Sequence, residues 1–202
     1  MTVAQGSQTT RRPQSPFAPS DFARDVAPLA ALYVTIAAAI YKLRRTRPAA
    51  ARPVARFINL LLVSLVTGNG VGGERFVHAP LSSLPPERYL EAERAITRTY
   101  LPMLAVMPAS VVSGLQVLAL MPKRRGPAFW LTLAGTAGMV GTFATTLLEL
   151  PLNRQTLTTS TEAADEWIDN RGRWVQFNHV RTALEVGAWS CLCVGALMER
   201  RR

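Results

Sequence analysis

The stretch TGNGVGGERFVHAP, residues 67–80, decides what kind of fold this chain has. Gly68, Gly70 and Gly73 stand in the G-x-G-x-x-G spacing. That spacing marks a dinucleotide-binding loop only after a buried strand, at the start of a helix and inside a βαβ unit. The apolar run FINLLLVSLV, residues 57–66, would serve as that strand, and equally as the first half of a long apolar helix. No second βαβ pattern exists elsewhere in the chain. The glycines are therefore read as small residues of a helix, where they let neighbouring backbones approach closely or loosen the helix around a cavity.

Working outward, four apolar runs approach membrane length: residues 57–73, 100–121, 126–148 and 182–198. The two middle runs carry no charged residue across more than twenty positions, and a bilayer core asks for about 20 apolar residues per helix. A fifth run over 26–41, VAPLAALYVTIAAAIY, is shorter and rich in alanine. Its reading as a cleavable signal peptide, with Ala37, Ala38 and Ala39 as the processing site, conflicts with its flanks. Signal peptides carry their positive charge before the apolar segment, whereas here the heavy basic cluster follows it. The expected fold is all-α: a polytopic membrane four-helix bundle with an additional N-terminal transmembrane helix.

The excess of 23 Lys and Arg over 13 Asp and Glu gives a net charge of +10. A nucleic-acid partner would need that charge gathered on one soluble face with aromatics between. Here it lies between apolar runs, which points to the lipid bilayer as partner and excludes nucleic acid. Lys42, Arg44, Arg45, Arg47, Arg52 and Arg56 form one basic loop, Lys123, Arg124 and Arg125 a second, and Arg200, Arg201 and Arg202 a tail. The loops over 82–99 and 152–173 mix acids with bases. Because Lys and Arg gather on the cytoplasmic side, the basic ends and the C-terminus are placed in the cytoplasm. The organisation expected is a disordered tail over 1–25, a hydrophobic helix and basic loop over 26–56, a four-helix domain over 57–198 and a basic tail over 199–202.

Ionisable groups at the edges of apolar spans are costly and point to function by default. They share one level here. Glu74, Arg75 and His78 end the first long run, Glu149 and Asn153 the third, and Asn178, His179, Arg181 and Glu185 open the fourth. The topology puts that level on the extracytoplasmic side. Side chains at helix ends also snorkel to water, the simpler reading for Arg75. Trp174, Asn178, Arg181 and Glu185, however, fall within a stripe about 60° wide at about 100° per residue. Such a stripe either lines a cavity or holds a structural i, i+4 ion pair between Arg181 and Glu185. Opposite stands ELPLN, residues 149–153, where Pro151 is expected to kink or end the helix. Asn153 there either caps backbone groups or bonds across to the fourth helix.

The pair P-L-N, at Pro151, Leu152 and Asn153, with W-x-x-x-N-x-x-R, at Trp174, Asn178 and Arg181, resembles the DUF1772 family of small integral membrane proteins, which includes the fungal anthrone oxygenases. The resemblance covers about residues 57–198. Family members often carry Asn where this chain has Glu149, and GNGVGGERF is more polar than the usual first helix. The resemblance implies oxidation of a lipophilic, polyketide-like anthrone by O2 to a quinone, with no recognised cofactor motif. It implies Glu149 or Glu185 as base, Arg181 as partner of a phenolate oxygen, Asn153 and Asn178 as donors, and Trp174 as a stacking wall, with His78 at the same level on the substrate. Two other readings stand beside it: an accessory membrane protein without chemistry, and a haem or copper protein ligated by His78 and His179, the two histidines of the chain.

Overall fold

A computed structural model describes residues 19–100, 103–121, 126–160 and 164–200. All regular structure among them is helical. We number six helices: α1 (Pro19–Thr46), α2 (Pro48–Gly72), α3 (Pro86–Thr99), α4 (Met103–Leu120), α5 (Pro127–Thr158) and α6 (Ala164–Arg200). Beyond Gly72 the chain of α2 widens into a π-helical turn, Gly73–His78, and closes with Ala79–Leu81. Residues 1–18, Lys123, Arg124, Arg125, Arg201 and Arg202 lie outside the described residues.

Prolines set the boundaries. The residue before a proline is pushed out of the helical region, while proline itself suits the first turn, where its missing N–H has no partner to lose. Arg47 (φ −142°, ψ 71°) accordingly leaves the helical region between the end of α1 and Pro48, Pro85 does so ahead of Pro86, and Gly126 is extended ahead of Pro127. Three of the loops expected from charge are therefore mostly helix. The basic segment 42–56 is helical except at Arg47, 82–99 contains α3, and 152–173 is shared between the ends of α5 and α6. Pro151 does not end its helix, which continues to Thr158.

Five helices are long and apolar enough to cross a membrane: Val26–Thr46, Pro48–Leu81, Met103–Leu120, Pro127–Thr158 and Asn170–Glu199. Their sidedness is that of a protein dissolved in lipid. Phe57, Leu61, Leu65, Leu115, Leu148 and Leu197 face outward, while Asn59, Ser110, Ser113, Thr132, Thr136 and Thr142 are buried. In water such an outer surface would be a large apolar patch; in lipid, buried polar groups bind helices together. The chain is an integral multi-pass membrane protein.

The core joins α2, α4, α5 and α6 through Val63, Val66, Met107, Met139, Ala188 and Leu192. Helices α5 and α6 approach closely at Gly135 and Gly138. A Cβ at 135 would lie 2.8 Å from the Ala188 carbonyl oxygen, and one at 138 would lie 2.9 Å from the Ala188 Cβ. At one end of the bundle, buried Arg56 donates to Thr132 Oγ1 (2.9 Å) and pairs with Glu199 (2.7 Å), while Asn59 donates to Ser113 Oγ (2.9 Å) and the Ser110 carbonyl (3.1 Å). Helix α1 lies on this assembly through Ile40, against Ala55 and Val117. Leu115, at 52% exposure, faces lipid well inside α4. Leu115→Arg is therefore expected to cost about 2.5–3.5 kcal/mol on insertion and to deplete the protein from the membrane fraction. Wild-type yield there would contradict the assignment of α4 as a span.

Candidate functional site

At the other end of the bundle the polar residues converge. The face of α6 that carries Trp174, Asn178, Arg181 and Glu185 turns inward, with Trp174, Asn178 and Glu185 buried. Arg181 is the hub. Its Nη1 donates to Glu149 Oε2 of α5 at 2.7 Å, its Nη2 donates to Asn178 Oδ1, and its Nε stands 3.7 Å from Glu185 Oε1. The stronger partner of Arg181 is thus Glu149 on the neighbouring helix, and the i, i+4 contact with Glu185 is the looser one. Glu149 and Glu185 are 1% and 0% exposed, so two carboxylates are withdrawn from solvent beside a guanidinium that is itself only partly buried. Charges buried in this way are tolerated where they are paired and functional. Glu149 Oε1 and both oxygens of Glu185 nevertheless have no hydrogen-bond partner in the protein.

Asn153 does not cap its helix end. It accepts the indole N–H of Trp174 at 2.9 Å, tying α5 to α6 and leaving its own amide N–H groups to donate. The Trp174 ring meets His78 edge to face, with centroids 4.7 Å apart. His78 Nδ1 lies 3.3 Å from Glu93 Oε2. His179 is exposed, and its Nε2 lies 3.2 Å from Glu74 Oε1.

Most of these groups front on a cleft of about 90 Å³, room for several waters. Of the residues expected at the site, Glu149, Asn153, Trp174, Arg181, Glu185 and His78 line it. Asn178 does not; it holds Arg181 and faces a second cleft, which His179 also lines. The apolar part of the first cleft comes from Met103, Leu104, Met107 and Leu150.

The glycine stretch of α2 now has its explanation. A side chain at Gly70 would occupy the place of the Glu185 carboxylate, and a Cβ at Gly73 would lie 3.0 Å from the Tyr100 hydroxyl. Gly73 also opens the π-helical turn, a feature that recurs at functional sites. The absence of side chains makes room for functional groups from elsewhere.

Sequence reading missed Glu93, Thr97 and Tyr100, which close the cleft from α3 and the residue after it. Tyr89, Glu93, Thr97 and Tyr100 recur at helical spacing and share one face, a signal hidden when 82–99 is taken as a loop. Burial first, and the nearby Glu93 second, raise the Tyr100 phenol above its ordinary pKa, against a smaller pull from Arg181. Among the described residues no group of three or more His, Cys, Asp or Glu is arranged to hold a metal ion, and Cys191 and Cys193 are free.

Fold and cleft define a class: a multi-pass helical membrane protein with two buried glutamates held around one arginine at one end of its bundle. Residues 95–191 match the family model described as Anthrone oxygenase, which supports an anthrone oxygenase-like family assignment. The match spans both motifs that carried the resemblance, Pro151–Leu152–Asn153 and Trp174, Asn178 and Arg181. No curated protein and no solved structure matches the chain significantly.

Proposed function

We propose that the chain is a membrane monooxygenase that takes a lipophilic anthrone-like phenol and O2 and forms the quinone. The observation that carries this reading is the open valence of the cluster. Arg181 is fixed on two sides by Glu149 and Asn178, while the buried Glu185 carboxylate has no hydrogen-bond partner and fronts on the cleft. Glu185 is the base. It removes a proton from the methylene of the substrate, whose anion is an aromatic phenolate. The guanidinium of Arg181 and the amide of Asn153 stabilise that phenolate oxygen, and Trp174 and Leu150 flank the rings.

The electron-rich anion combines with O2 at the same carbon and, after protonation, gives a hydroperoxide. Loss of the remaining C–H proton and of hydroxide leaves a carbonyl. One oxygen atom enters the quinone and the other leaves as water. Converting CH2 to C=O releases four electrons and reducing O2 to these products takes up four, so the substrate itself is the reductant.

The test is quinone formation from an anthrone by purified protein in air, with 18O2 as label. A rate above autoxidation, with one labelled atom in the new carbonyl, is expected. A rate equal to that of detergent alone would refute the reading.

Two further results are expected. Gly70→Ala places a methyl group where the Glu185 carboxylate sits. The carboxylate is the far end of a flexible side chain, so the protein should fold and lose most activity; full activity would remove Glu185 from the role of base. The basic termini of the spans also favour an orientation with the cleft towards the extracytoplasmic face. A reporter enzyme fused after Arg202 should then work only in its cytoplasmic form, and activity of an exported reporter would invert the topology.

A further inference from the structure

A second cleft, about 310 Å³, shares Glu74, His78 and Trp174 with the first as a common wall. Its remaining lining includes Arg75, Ser82, Tyr89, Arg171 and Asn178. The Arg171 guanidinium carbon lies over the Tyr89 ring, 4.1 Å from its centroid. Burial, with the neighbouring Glu93, pushes the Tyr89 phenol up to about 12, so it stays neutral beside the guanidinium. The amide nitrogen of Asn178, a residue 5% exposed, has no hydrogen-bond partner in the protein. Glu74 is the one acidic side chain in this lining, and His179 already faces it at 3.2 Å.

The cleft therefore offers two guanidinium groups and an unused buried amide donor, a set that suits an anion with two oxygens. Guanidinium groups bind carboxylates and phosphates in the plane, through paired N–H donors. The cleft also lies where the spans Pro48–Leu81 and Asn170–Glu199 terminate, the level at which a charged group remains near water while an attached ring system enters the bundle.

We propose that this cleft is the acid-binding half of the active site: the substrate is an aromatic carboxylic acid whose rings occupy the first cleft and whose carboxylate passes Trp174 to reach Arg171, Arg75 and the Asn178 amide. The proposal rests on the oxygenase reading for the ring cleft, and its test is a binding measurement so that the two can fail separately. The other source of the same chemistry is the phosphate of an anionic lipid headgroup.

The probes are anthraquinone-2-carboxylate and uncharged anthraquinone, both inert to O2, titrated against purified protein in neutral detergent. The wild type should bind the carboxylate about 10-fold or more tighter, the scale of a charge-assisted hydrogen-bonded pair. Arg171→Gln should reduce that preference to about 2-fold or less and leave anthraquinone binding unchanged. Equal affinities in the wild type would overturn the proposal. Since Arg171 also covers Tyr89, loss of both ligands in Arg171→Gln passes the decision to Arg75→Gln, at an exposed residue. A several-fold drop in preference there supports the carboxylate pocket, and an unchanged preference overturns it. The titration is repeated in phosphatidylcholine nanodiscs with and without phosphatidylglycerol. Persistence of the preference in both supports the proposal, whereas its loss with phosphatidylglycerol assigns the cleft to lipid headgroups and overturns it. A carboxylate preference in a protein that forms no quinone would leave the binding site standing and refute the oxygenase alone.

Discussion

Arg181→Gln is expected to lower quinone formation by about 10²- to 10³-fold, the cost of losing a principal donor to a developing oxyanion. It is also expected to lower stability. Arg181 is the partner of Glu149 at 2.7 Å and the nearest cation to Glu185 at 3.7 Å, and both carboxylates are buried. Removing one member of a buried pair leaves a charge without compensation, at a cost of about 3–5 kcal/mol. The two effects are separable. In the double variant Arg181→Gln, Glu149→Gln one cation and one anion are lost together, so yield and melting temperature should recover in large part, Glu185 alone still lacking its cation. Activity should not, because no cation then faces the phenolate. Recovery of activity along with stability would show that Arg181 is a strut of the bundle and nothing more.

The same cluster shows how far the sequence could be read. The inward face of α6 was legible because Trp174, Asn178, Arg181 and Glu185 are local: four positions on one helix, related by a known angle. The partner of Arg181 was not. Its spacing to Glu185 is i, i+4, yet the 2.7 Å bond is to Glu149, thirty-two positions away. Which of two carboxylates a guanidinium reaches depends on how α5 and α6 approach, and that is set by Gly135 and Gly138 against Ala188. Pro151 misled for a related reason. Local rules let it end a helix in water, but inside a bundle neighbouring groups can satisfy freed backbone polar atoms, and helices tolerate proline better.

Charge misled at the ends of the spans. Arg52 and Arg56, read as loop residues, lie within α2 and pair with Glu199. Glu93 and Tyr100 were hidden because α3 is too short and too polar to stand out as a span, although its buried face contributes directly to the cleft.

Glu185→Gln is expected to reduce quinone formation by about 10²- to 10⁴-fold, the usual contribution of a positioned general base, with folded yield near that of the wild type. Glutamine keeps the shape beside Gly70 and removes a carboxylate whose oxygens have no hydrogen-bond partner, so little packing is lost. The control lies six positions earlier. His179 is exposed, faces Glu74 and lines the second cleft but not the first; His179→Ala should keep most of the activity on an uncharged anthrone. Asn178→Ala falls between them, since it releases one of the two anchors of Arg181 without touching the ring cleft itself. A histidine-ligated haem or copper would invert this order, because the loss of one of two imidazoles strips the metal. Initial rates for the three variants, normalised to folded protein, are to be compared with the metal content and visible spectrum of the wild type. An inactive His179→Ala beside an active Glu185→Gln, with stoichiometric iron or copper in the wild type, would transfer the chemistry from the carboxylate cluster to the histidines.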